Sequence, residues 1–100
     1  MKEDVFNQYV ERVCGLFSIS NEEFFSKSRK RNFVDARHLV YFLCSIRPIQ
    51  VIYIKKFMED NGYEVYRTSI SHGINIVSQK IIEDKDYQHI IKEIEKSVFI

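Results

Sequence analysis

Lys27, Arg29, Lys30 and Arg31 fall within five consecutive positions, and Arg37 follows a little further on. Asp35 is the only acid between residues 27 and 37. Cations at this density suit polyphosphate, and duplex DNA above all. The segment from Leu39 to Ile46, the most apolar in the chain, comes directly afterwards. The charge is therefore mounted on the end of a buried helix and not left on a loose tail. A second polar group, Tyr66, Arg67, Thr68, Ser69, Ser71 and His72, opens a later helical stretch. Arginine is the commonest reader of guanine edges, and the other members have polar reach.

Other chemistries find less support. No set of His, Cys and acidic residues has metal-ligand spacing. There is no glycine-rich phosphate loop. Cys14, Cys44 and the three histidines lack any local arrangement for nucleophilic catalysis. Both cysteines lie in apolar helical context and read as buried free thiols, which suits a reducing cytoplasm. The start, Met1-Lys2-Glu3-Asp4, is acidic with no apolar run, so no signal peptide is expected. No stretch approaches the ~20 apolar residues of a membrane span. The net charge of +1 says nothing by itself. Its distribution says more: acids gather toward both ends of the chain, and the cations lie between them.

The elements that must position these residues are helices. With 45% apolar residues, one Pro and three Gly in 100 residues, the chain reads as one helix-rich domain. Val5, Phe6, Tyr9, Val10, Val13, Leu16 and Phe17 predict a first helix with one buried face. Ser20 and Glu23 make a capping box for a short second helix anchored by Phe24 and Phe25. A long central helix is expected from about Phe33 to Ile46, with almost nothing facing water. Pro48 is expected to begin a fourth helix to Glu59, with Ile49, Ile52, Tyr53 and Phe57 inward. Asp60-Asn61-Gly62 ends it. A fifth helix starts between Tyr66 and Ser69, with Thr68 or Ser69 as N-cap and Ile70, Ile74, Val77 and Ile81 inward. Asp84 or Asp86 either caps a sixth helix to about Val98 or only kinks a continuous one.

The pair Pro48–Glu59 and Thr68–Ile82 could form a helix-turn-helix, an arrangement common in any all-α domain. Taken with the basic loop, the pattern resembles the C-terminal duplex-DNA-binding domain of the bacterial replication initiator DnaA. Phe17, Ile19, Phe24, Ser26-Lys27, Arg29, Arg31, Val34, Ala36-Arg37 and Leu43 carry the first half of the likeness. Thr68-Ser69-Ile70-Ser71-His72-Gly73 carries the second. The resemblance implies an all-α fold of about six helices with a helix-turn-helix. It implies Arg29 in a minor groove and Lys27, Arg31 and Arg37 near phosphates. His38, where the family usually has glutamine, would touch phosphate. Thr68 and Ser69 would meet a thymine methyl and the backbone. Tyr66-Arg67 stands where the family has Asp-His, so recognition of its usual box sequence is expected to be lost or altered. Arg37 has a second reading, as the ion-pair partner of Asp35 or Glu22.

The expectation is a non-enzymatic, double-stranded-DNA-binding protein without cofactor, cytoplasmic, acting in replication or transcription control. The initiator's ATPase module has no counterpart in these residues, and the composition hints at an AT-rich genome, such as that of a phage. The alternative is a protein-interaction or structural module, in a virion for instance, that keeps the fold. Its motive is the apolar ending Val98-Phe99-Ile100, which leaves room for self-association.

Overall fold

A computed structural model describes residues 1–98, and every regular element within them is an α-helix. In chain order these are α1 (Lys2–Phe17), α2 (Asn21–Phe24), α3 (Arg31–Ser45), α4 (Val51–Asp60), α5 (Arg67–Glu83) and α6 (Lys85–Ser97). The central helix is α3, which packs chiefly against α5 and α1 and also meets α2 and α4.

Local sequence explains most boundaries. Helix α1 begins before its first buried residue because Glu3 and Asp4 sit in its first turn, where negative charge complements the helix dipole. It ends at Ser18, whose left-handed φ of 55° lets the Ile19 N–H donate to the Cys14 carbonyl at 3.0 Å. The capping box is formed: Ser20 Oγ accepts from the Glu23 N–H at 3.1 Å, and Glu23 Oε1 accepts from the Ser20 N–H at 2.9 Å. Asp84 caps α6 by accepting from the Asp86 N–H, so the chain breaks there and does not merely kink.

Expectations on burial and on one helix start are corrected. Leu16 is 49% exposed: it lies in the last turn of α1, beyond the core edge, beside Ile90 and Ile94 of α6. Ile46, just past the end of α3, is also exposed, and Phe42 is only half-buried, so the last turn of the central helix meets water. Helix α4 starts at Val51 and not at Pro48, which follows a cis peptide bond. Ile49 is still buried, its N–H donating to the Cys44 carbonyl at 2.7 Å. The sequence of α4 offers two apolar stripes that share Phe57. The one through Ile52 and Tyr53 is interrupted by Lys56 and faces outward. The one through Val51, Ile54 and Met58 faces the core.

The core joins Phe6, Tyr9 and Val13 of α1, Phe24, Leu39, Val40 and Leu43 at the centre, and Ile54, Met58, Ile70 and Val77. Ile91, Ile94 and Val98 close one side. At its edge, Arg47 donates to the Tyr9 hydroxyl at 3.1 Å and Tyr9 donates to Glu95. That chain ties the α3–α4 turn, α1 and α6 together. Both cysteines are free and buried. No helix among the described residues is long and apolar enough to cross a membrane.

Candidate nucleic-acid interface

The basic loop is shaped by its serines. Ser26 Oγ donates to the Glu23 carbonyl at 2.7 Å and accepts from the Ser28 N–H. Ser28 Oγ in turn accepts from the Lys30 N–H at 3.3 Å. Serine at every second position lets side chains stand in for missing backbone partners, so residues 26–30 hold a turn without being helical. Lys27, Arg29, Lys30 and Arg31 are all exposed on this frame. Lys30 Nζ lies 5.6 Å from the Phe33 ring centroid. Arg31 pairs loosely with Asp35 at 3.7 Å while its own side chain stays 90% exposed. Such a pair is weak and leaves the guanidinium available.

The second segment is the start of α5. Gly62, with φ 86°, lets the chain leave α4 through a left-handed turn, and residues 63–66 lead to α5 without regular structure. Tyr66 is extended and 78% exposed at the N-cap position. Neither Thr68 nor Ser69 caps the helix: α5 starts at Arg67, one turn earlier than a Ser69 cap requires, and carries no side-chain cap. Arg67, Thr68, Ser69 and Ser71 all face solvent. The positive end of the α5 dipole is therefore left unblocked among hydroxyls and one cation.

These two segments meet. A cleft of about 400 Å³ is bordered by Arg29 on the loop side and by Tyr66, Thr68, Ser69 and His72 on the α5 side. A second groove of about 380 Å³ brings Lys27 and Arg29 beside Tyr66. Lys30, Arg31, Arg67 and Ser71 are exposed but do not line either groove. One opposing charge was not anticipated: Glu64 is exposed and borders both grooves. Glu59, also in the second groove, is held by Lys55.

One predicted contact residue, Arg37, is corrected, and a second, His38, is only partly accessible. Arg37, at the back of the cleft, is 4% exposed, so it is not the open phosphate contact that the sequence suggests. Its guanidinium donates to the backbone carbonyls of Phe24, Ser26 and Glu23 and lies against Tyr63. Nor is it the ion-pair partner of Asp35 or Glu22, since Asp35 pairs with Arg31 and Lys80. The reason is spacing: Phe33, Arg37 and Tyr41 follow one another at four-residue steps on a buried face of α3. His38 is half-buried between α3 and α5, against Gly73, Tyr41 and His72, and it still lines the cleft that Arg29, Thr68 and Ser69 border. Its Nδ1 is buried with no hydrogen-bond partner. Burial pushes its pKa below the ordinary range, against the pull of Asp35 and with the help of His72, Lys80 and Arg37. His72 is exposed and lines the cleft.

The remaining reactive groups are quiet. Burial, with Glu23 nearby, pushes the Cys14 thiol up to about 11, and burial raises Cys44 as well, so neither is a ready nucleophile. No group of three or more His, Cys, Asp or Glu among the described residues is placed to hold a metal ion. The arrangement is thus a cation- and hydroxyl-bearing cleft beside a helix start, with chemistry suited to binding an anion. No family model matches the chain, and neither any curated protein nor any solved structure matches it.

Proposed function

We propose that this protein is a non-enzymatic duplex-DNA-binding protein, acting in the cytoplasm in replication or transcription control. The basic loop, through Arg29, enters the minor groove, and the start of α5 lies in the adjacent major groove. One observation carries the reading: Arg29 and the Thr68–Ser69 end of α5 border the same cleft. One duplex can touch both. The resemblance of the loop and of Thr68-Ser69-Ile70-Ser71-His72-Gly73 to the initiator's DNA-binding domain points the same way. A narrow minor groove attracts an inserted arginine, while phosphate contacts fix register without reading sequence. Tyr66-Arg67 replaces the family's Asp-His pair, so the usual box sequence is not the target.

Selection of bound duplexes from a random pool tests this. Enrichment of a motif distinct from the initiator's box is expected. Arg29→Ala should weaken AT-rich sites most, and Lys27→Ala should weaken all sequences alike. No retention of any duplex would defeat the proposal. A second reading, a self-associating or protein-binding module, is favoured by the apolar groove that Leu16, Ile90 and Ile94 form between α1 and α6. Phe99 and Ile100, which first suggested it, lie outside the described residues. Light scattering that finds a dimer, with no duplex retained, would select this second reading.

A further inference from the structure

Arg37 is the one buried charged residue among those described, and it joins two segments distant in sequence. Its Nε donates to the Phe24 carbonyl at 2.7 Å, and Nη2 donates to the Ser26 carbonyl at 2.6 Å and the Glu23 carbonyl at 3.4 Å. Those carbonyls close α2 and open the basic loop. The guanidinium carbon lies 4.8 Å from the ring centroid of Tyr63, which opens the segment leading to α5. Arg29 stands three residues past Ser26, and Tyr66 three residues past Tyr63. One side chain therefore anchors both arms of the cleft at the same remove from their tips.

Resting on the duplex-DNA reading, we infer that Arg37 is a positioning residue. It sets the separation of the basic loop from the start of α5 and never touches DNA. Only arginine fits the place. Its fork presents several N–H donors in one plane to the carbonyls, while the face of that plane stacks on an aromatic ring. Lysine has neither the plane nor the fork. Methionine has the length and no donor, and would take away the Arg37 bonds to the Phe24 and Ser26 carbonyls, while the Glu23 carbonyl keeps its bond from Ser26. The α3 backbone holds Arg37 itself, so loop and connector are referred to the rigid centre of the molecule and not to each other.

The test uses the full chain and three substitutions, Arg37→Met, Arg37→Lys and Tyr63→Leu, with helicity checked by circular dichroism. Amide hydrogen exchange is followed at Ser28 and Lys30 in the loop and at Tyr63 in the connector. Binding of a random-sequence duplex is measured from 50 to 200 mM salt. In Arg37→Met, exchange should rise about ten-fold in both segments together. In Tyr63→Leu, which keeps the carbonyl bonds, the connector should loosen most and the loop less. Duplex affinity should fall roughly ten-fold for Arg37→Met and for Tyr63→Leu with the salt slope unchanged, because no phosphate contact is lost. Lys27→Ala should instead lower the slope by about one. Arg37→Lys should behave like the methionine variant. A slope reduced by about one in the Arg37 variants, or exchange that rises in one segment only, would overturn the inference. Should Arg37→Met fail to fold, Tyr63→Leu and Arg37→Lys decide. Should the wild-type chain retain no duplex, the DNA reading fails by itself, and the paired exchange rates still decide whether Arg37 couples the two arms.

Discussion

At the scale of single residues, the cleft owes its character to Arg29, Tyr66 and Glu64. The carboxylate of Glu64 borders both grooves and, on the proposed DNA reading, opposes phosphates that enter them. Glu64→Gln should tighten non-specific duplex binding by roughly three-fold at low salt, since one exposed like charge is worth under 1 kcal/mol and is screened. Fluorescence anisotropy with a scrambled duplex reads this directly, and weakened binding would mean that Glu64 holds the site together. His38 makes a different prediction. Its folded pKa is depressed, so the unfolded chain binds the proton more readily. The stabilisation is complete above the unfolded value of about 6.5 and is lost as pH falls through the lower folded value. Urea unfolding at pH 7 and pH 5 should show a larger loss for the wild type than for His38→Gln, and equal losses would refute the assignment. The exposure of Lys27, Arg29, Lys30 and Arg31 could be read from residue type alone. Arg37 was misread because its charge argued for the surface. Its four-residue spacing from Phe33 and Tyr41, which argued for the interior, carried more weight.

At the scale of elements, the site depends on how α5 lies across α3. Gly73 is a point of tight approach. A Cβ there would stand 2.6 Å from His38 Cδ2 and 3.0 Å from the Tyr41 ring. Gly73→Ala would gain about 1 kcal/mol of helix propensity and lose about 1–3 kcal/mol to overpacking. The net expectation is a destabilisation of about 1 kcal/mol with α5 displaced outward. A stabilised variant in thermal unfolding would show that the helices are not in contact there. The capping box at Ser20 was legible because it is a local rule obeyed by two residues, whereas the sequence left Asp84 open between a cap and a kink, and the Asp86 N–H bond to its side chain decides for the cap. The phase of α4 was not legible, because two stripes competed, and only the packing of Ile54 and Met58 under α1 and α5 separates them. The missing cap of α5 has the same origin: burial of Ile70 sets where the helix starts, and Thr68 and Ser69 are left free for the cleft.

At the scale of the whole molecule, the charge that crowds residues 27–37 in sequence is thinned by folding. Arg37 is withdrawn into the interior and Arg31 shares Asp35 with Lys80. What remains exposed, and on the proposed reading available to a duplex, is Lys27, Arg29, Lys30, Arg31 and, at the start of α5, Arg67. That Arg29 and Thr68 share a cleft could not be read from the chain. It follows from the close approach at Gly73 and from the anchoring of both arms on α3. With about five phosphate neutralisations, affinity should fall by ~10²–10³ between 50 and 200 mM salt. The most direct measurement is therefore a salt titration of duplex binding by the wild-type chain. A linear fall of that size in log affinity against log salt is the predicted result. Duplex binding that is absent, or that does not change over the range, would contradict the account.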